Sequence, residues 1–256
     1  MISALPYPDS KVLSTNNYGM SLWGQTGKIT AELPDGTTKH YFLTTANLGD
    51  TGHAMILGEY ESLKAIHAVS PNIRLADMHK KSQSPTGKFG FHVTTCHAKL
   101  RQMTDCWEDS WAALCRKQLA HMIELEEVKH GEWPEFKIVC QLILDKVIPR
   151  LLEPLQSNGR SIKPCLVHGD LWDENTATDM ATGEPFIFDA GSFYAHNEYE
   201  IRGSGMTENL LYSLRFDLGT AILIPCNQRQ IVKENMIILC KKVFPNELAC
   251  FAEKPG

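Results

Sequence analysis

Three polar residues in this chain are spaced as phosphate chemistry requires. An apolar run, Cys165-Leu166-Val167, ends in His168-Gly169-Asp170, and Asn175 follows five residues after that aspartate. A second apolar run, Pro185 to Phe188, ends in Asp189. In phosphoryl transfer to a hydroxyl, one aspartate orients and deprotonates the acceptor, while an asparagine and a second aspartate hold magnesium against the ATP phosphates. Little covalent help is needed. The nucleophile must be held in line, and the phosphate charge must be neutralised by a hard cation on oxygen ligands. On this reading Asp170 is the catalytic base, Asn175 and Asp189 are the metal ligands, and His168 and Gly169 complete the motif.

These residues need a frame. Asp170 to Asn175 must be a short, sharply turned loop. Thr176 to Phe188 reads as a hairpin, with Thr176-Ala177-Thr178 as one arm, Asp179 to Gly183 as the turn and Pro185 to Phe188 as the return arm. That hairpin brings Asp189 back beside Asn175, where one metal can touch both. His168-Gly169-Asp170 alone is a common turn after a strand; Asn175 and the strand-end Asp189 in register lift it above that. A metal-dependent hydrolase with His168, Asp170 and Asp189 as ligands is the competing chemistry. It lacks a second His-rich segment at ligand spacing.

Upstream, Lys11 to Asn17, Gly27 to Leu33 and His40 to Ala46 read as three strands, the last two joined by the turn Pro34-Asp35-Gly36-Thr37. The stretch Tyr18 to Gly24 between the first two is either a hairpin loop or a phosphate cradle built from backbone N–H groups, with Gly19 and Ser21 the candidate ATP contacts. Asp50 to Gly58 reads as a loop. Glu59 to Val69 reads as a helix with Leu57, Tyr60, Leu63 and Ile66 or His67 on one face, ended by Pro71. Asp109 or Ser110 caps a long helix on Trp111, Leu114, Cys115, Leu119, Met122 and Ile123, and a second follows Pro134. Two more cover Asn209 to Ile224 and Arg229 to Val243.

The chain of 256 residues is 43% hydrophobic and 21% charged, ample for a substantial core in one or two lobes. A net charge of −5 and a pI near 6.1 speak against a broad nucleic-acid or membrane footprint. No apolar run approaches the roughly 20 residues that span a bilayer. Met1 to Ser10 has neither the charge nor the apolar stretch of a secretory signal. The eight cysteines are scattered, with no C-x-x-C pair. They read as reduced thiols of a cytoplasmic protein.

The segment Leu166 to Ile201 resembles the fructosamine-3-kinase family, also called ketosamine or protein-ribulosamine 3-kinases. The resemblance rests on His168-Gly169-Asp170-Leu171-Trp172, Asn175, Asp189, and Phe193-Tyr194-Ala195-His196-Asn197-Glu198-Tyr199-Glu200. His-Gly-Asp with Asn is shared with aminoglycoside and choline phosphotransferases; Trp172 and the aromatic run narrow the choice. Lys88 to His92 and Trp107 to Trp111 also look like the family's middle. The resemblance implies an α+β, protein-kinase-like fold with a reduced β-rich N-terminal lobe over 1–75 and a helical C-terminal lobe over 76–256, the catalytic loop being 165–191. It implies ATP and Mg2+, with Asp170 as base and Asn175 and Asp189 on the metal. It puts Trp172, His196 and Glu198 on the sugar-amine, and Glu59 on the nucleotide side. The acceptor would be a ketoamine, a glycated lysine on a protein or small molecule, whose 3-hydroxyl is phosphorylated to start deglycation.

Three features depart from the family pattern. Thr44 stands where the third strand should carry the ATP-phosphate lysine, which leaves Glu59 without its partner. Lys39 points to the opposite face of that strand, and Lys28 on the neighbouring strand is the substitute to test. The chain passes from Pro71 almost at once to Asp77, omitting two strands and the adenine-binding hinge. Ile201 runs directly into Arg202-Gly203-Ser204. The rival reading these departures raise is a catalytically impaired, pseudokinase-like member.

Overall fold

In the computed structural model, which describes residues 9–20, 24–71, 75–180, 182–200, 207–224 and 227–245, the chain opens with an antiparallel meander of β1 (Lys11–Met20), β2 (Gln25–Glu32) and β3 (Thr38–Thr45), in that spatial order. Asp35 holds the second turn by accepting from the Thr37 N–H at 2.9 Å and its hydroxyl at 2.6 Å, an Asx turn. Ile29 and Ala31 are buried on one face of β2. The other face carries Thr26 and Lys28, paired across β3 with Thr44 and Phe42. Tyr18 to Met20 are strand residues, paired onto β2 with a register shift at Gly19. Ser21 lies outside the described residues.

Contacts divide the chain into two compact units, Met1–Leu57 and Gly58–Gly256. The division falls inside α1 (Gly49–Val69), ahead of the 75/76 boundary expected from sequence. The loop expected over Asp50 to Gly58 is helix. Gly58 permits close approach there: a Cβ would stand 2.8 Å from the Thr94 carbonyl oxygen. The buried stripe is correspondingly Gly58, Ser62 and Ile66, one helical turn apart, while Tyr60 is 60% exposed. A seven-residue helix, α2 (Leu75–Lys81), follows.

Among the described residues the second unit holds eight further strands. They are β4 (Phe89–Gly90), β5 (Cys96–His97), β6 (Leu100–Arg101), β7 (Trp107–Glu108), β8 (Cys165–Val167), β9 (Thr176–Thr178), β10 (Pro185–Ile187) and β11 (Phe193–Ala195). Four form an antiparallel sheet in the order β7-β4-β11-β8, and β5-β6 and β9-β10 are separate hairpins. The aromatic run that carries His196 and Glu198, expected on the sugar-amine, thus begins as β11, a fully buried strand paired on both sides. Phe193, Tyr194 and Ala195 are apolar or aromatic because they are core.

Helices α3 (Trp111–His130), α4 (Pro134–Leu142), α5 (Ile148–Leu152), α6 (Thr207–Leu223) and α7 (Gln228–Val243) complete the unit. Ser110 caps α3 by accepting from the Ala113 N–H at 3.3 Å. Between α4 and α5 the ladder loosens to a π turn over Ile143–Val147. Pro149 lies just beyond, where its missing N–H leaves the preceding turn without a regular bond, and the wider turn keeps the helix running. Trp111 is the hub of the core: it is fully buried, its indole N–H donates to the Tyr212 hydroxyl at 3.0 Å, and Tyr199 meets it edge-on at 5.6 Å. Truncating such a residue costs about 3–5 kcal/mol. The six described cysteines are free thiols, and burial pushes Cys115 and Cys140 up to about 12, which leaves them unreactive. Among the described residues no helix is long and apolar enough to cross a membrane.

Candidate active site

Strand β8 is buried throughout and delivers the chain to His168, which is itself fully buried. The imidazole Nε2 lies 3.1 Å from the Phe188 carbonyl oxygen, and the Asp170 N–H donates to Nδ1 at 3.3 Å. A carbonyl only accepts, so Nε2 carries the proton and Nδ1 is the acceptor. Burial pushes the ring below its ordinary value and favours this neutral form. His168 therefore fastens the turn that carries Asp170 to the strand end that carries Asp189. With both nitrogens engaged by backbone, it is not placed as a metal ligand, which removes the hydrolase reading.

Asp170 and Asn175 meet directly. The Asn175 amide donates to the Asp170 carbonyl oxygen at 2.8 Å and to its Oδ2 at 3.3 Å, and both residues are buried. His97, on the β5-β6 hairpin, brings its Nε2 within 3.5 Å of the other carboxylate oxygen. The β9-β10 hairpin has the expected register, Thr176 opposite Ile187 and Thr178 opposite Pro185. The Phe188 N–H donates to the Asn175 carbonyl at 3.2 Å, so Asp189 is the next residue past the open end of the hairpin.

Asp189 has φ +55, a left-handed conformation uncommon for a residue with a side chain. Its N–H donates to Glu59 Oε1 at 3.3 Å. Desolvation, then the Asp189 charge, pushes Glu59 up to about 7, and partial desolvation with the Asp170 carboxylate nearby holds Asp189 above the usual carboxylate range. Two carboxylates that each resist ionisation so close together are a place where a cation is favoured. Among the described residues no three of His, Cys, Asp and Glu cluster as a metal site. The donor set that remains, one carboxylate with an amide oxygen, suits magnesium, which keeps water and phosphate oxygens for most of its shell.

Other expected residues are placed differently. Gly19 is in β1, its N–H taken by Asn17 Oδ1 at 3.1 Å, not in a phosphate cradle. His196 is 7% exposed; Tyr212 hydrogen-bonds its Nδ1 at 3.0 Å and Trp111 packs 6.5 Å away. It is a core histidine and has no face to offer a sugar. Trp172 is 44% exposed, just before the short helix Asp173–Asn175. Glu198 is half-buried in the Asn197–Glu200 turn.

Sequence reasoning passed over Glu200, Arg215 and Ser62. Ser62 is buried, donates to the Gly58 carbonyl at 2.6 Å and accepts from the Ser192 N–H at 2.9 Å, tying α1 to the strand after Asp189. The available signal was a polar residue on the buried stripe of a helix, visible only once that stripe is known.

A protein-family model described as Fructosamine kinase matches residues 50–212. The chain is 31% identical over 208 residues to the ketosamine-3-kinase of Mus musculus, covering 72% of this chain and 64% of that protein. It is 35% identical over 130 residues to the chloroplastic protein-ribulosamine 3-kinase of Oryza sativa subsp. japonica, covering 50% of this chain and 34% of that protein. The chain thus spans less than two thirds of the length of either relative. A crystal structure of a candidate fructosamine-3-kinase from Thermobifida fusca superposes with a TM-score of 0.68 at 15% identity, covering 91% of this chain and 95% of the other. The fold is the kinase-like α+β fold of that structure.

Proposed function

The chain belongs to the fructosamine kinase family, and from that premise we propose that it transfers the γ-phosphoryl group of ATP to the 3-hydroxyl of ketoamines, ribulosamine or fructosamine adducts of lysine, and so starts deglycation in the cytoplasm. The observation that carries this reading is the pairing of Asp170 with Asn175 at 2.8 and 3.3 Å, beside a hairpin whose register returns Asp189. That is the arrangement in-line phosphoryl transfer uses.

In this reading Asp170 accepts the proton of the attacking hydroxyl. Asn175 is oriented by Asp170 through its amide nitrogen, and its carbonyl oxygen and Asp189 are the groups to hold magnesium. The bound ion would supply neutralisation of the phosphate charge. Trp172, exposed beside this loop, offers a flat apolar face to the ketoamine, with Glu198 as a candidate for its amine. Lys28 is the candidate cation for the nucleotide phosphates, because the β2-β3 register puts it on the same face as Thr44.

The test is Mg·ATP-dependent turnover on ribulosyl-lysine and fructosyl-lysine substrates with Asp170→Ala as the blank. Turnover that vanishes in the variant supports the reading, and the ratio of rates names the preferred sugar. Thr44 in β3, in a sheet of three strands among the described residues, favours a second reading, a member that binds without transferring phosphate. Calorimetric binding of Mg·ATP with no turnover on either substrate would support it.

A further inference from the structure

Gly169 sits between His168 and Asp170, and nothing of its own can hold it in place. Its φ is +85, and a Cβ there would stand 2.1 Å from the Gly191 carbonyl oxygen, so the position excludes a side chain on both conformational and steric grounds. Both of its backbone polar groups are nevertheless fixed by long side chains from distant parts of the chain. Its N–H donates to Glu200 Oε1 at 3.0 Å, and its carbonyl oxygen accepts from Arg215 Nη2 at 2.9 Å.

Each of these side chains is anchored in turn. Glu200 uses its second oxygen in a 2.9 Å hydrogen bond with His79 Nε2 on α2, and its side chain is 1% exposed. Arg215 is buried, donates from Nη1 to Gln102 Oε1 at 2.7 Å, and lays its guanidinium 4.3 Å from the Phe216 ring centre. A backbone group needs only one hydrogen-bond partner to be satisfied. Two buried charge-bearing side chains, each with a second anchor, converging on one glycine make a brace.

We propose that Glu200 and Arg215 are positioning residues that fix the Gly169 peptide and thereby aim the Asp170 carboxylate. The inference rests on Asp170 being the base, as proposed above. Glu200 also links the aim of Asp170 to α2 through His79. A misplacement of about 1 Å at a reacting group is enough to lower a rate by roughly a hundredfold, whereas substrate affinity does not depend on that aim.

The experiment compares Glu200→Ala with Glu200→Gln, which keeps an oxygen for the Gly169 N–H, and reads two quantities in the full chain. One is hydrogen exchange of the backbone amides across 167–171, with those of Trp111–His130 as an internal standard. The other is kcat and KM on Mg·ATP and a ribulosyl-lysine substrate. The expected result for Glu200→Ala is faster exchange at Gly169 by about tenfold or more with α3 unchanged, and kcat down about a hundredfold with KM within about threefold. Glu200→Gln should recover most of both. Unchanged exchange at Gly169 in folded Glu200→Ala overturns the proposal. So does a matched rise in α3 exchange in both variants, since that is a fold-wide role. If the parent chain shows no turnover, the kinase reading fails, and the exchange arm still decides whether Glu200 holds Gly169.

Discussion

The segment from Cys165 to Asp189 and the meander from Lys11 to Thr45 carry very different densities of restraint. In the first, both backbone groups of Gly169 are held by buried side chains from distant elements, the His168 ring is tied to the Phe188 carbonyl, and Asp170 and Asn175, both buried, hold each other. In the second, the outward face of the sheet is Thr26, Lys28, Phe42 and Thr44, with Phe42 65% exposed. A polar group that is buried must be satisfied, so each addition to the catalytic segment brings a partner with it. An exposed sheet face has no such requirement and tolerates the exchange of a lysine for a threonine without loss of fold. The buried segment is therefore hard to alter piecemeal, whereas a substitution on the exposed face of the meander costs the fold little.

The strongest attempt to break this contrast is Asp170→Ala. It should lower turnover by about a thousandfold or more; turnover that survives it would remove Asp170 from the chemistry. Gly169→Ala should act on stability. With φ at +85 and the Gly191 oxygen 2.1 Å from the new methyl, we expect a loss of about 3 kcal/mol or more and a melting temperature lower by roughly 6–12 °C. A variant as stable as the parent would mean the catalytic turn yields more readily than its restraints suggest.

Glu59 gives a smaller, pH-dependent effect. Its folded value is pushed up to about 7 from an ordinary 4.5, by burial first and Asp189 second. Below pH 4.5 both folded and unfolded states are protonated there and the group is neutral in effect. As pH rises from 4.5 to 7 the unfolded state ionises first, so this group removes stability, on the order of 1–2 kcal/mol above pH 7. Glu59→Gln should flatten that part of a melting-temperature profile and be the more stable protein at pH 8; parallel profiles would show that the carboxylate is not strained. The smallest expected effect is in the meander. Lys28→Ala should leave stability within about 0.5 kcal/mol and weaken ATP binding by about threefold to tenfold, about 1 kcal/mol. Unchanged ATP affinity would sink the assignment of Lys28 to the phosphates, and a gain in affinity in Thr44→Lys would show which position the sheet lacks.

Local pattern was sufficient for much of this molecule. Strand and turn residues placed the meander, apolar period placed α3, α6 and α7, and the spacing of His168, Asp170, Asn175 and Asp189 anticipated the β9-β10 hairpin and the contact of Asp170 with Asn175, because each depends on neighbours within a few residues. What local pattern could not give was which face of an element is buried. The stretch Asp50 to Gly58 read as a loop when it is the first half of α1, with Gly58 packed closely against Thr94. His196 read as a sugar contact when it lies in the core beside strand β11, since aromatic residues serve both uses equally well. Glu200 and Arg215 were invisible as site residues for the same reason: they reach Gly169 from 31 and 46 positions away, and only the folded chain brings their charges to that one peptide.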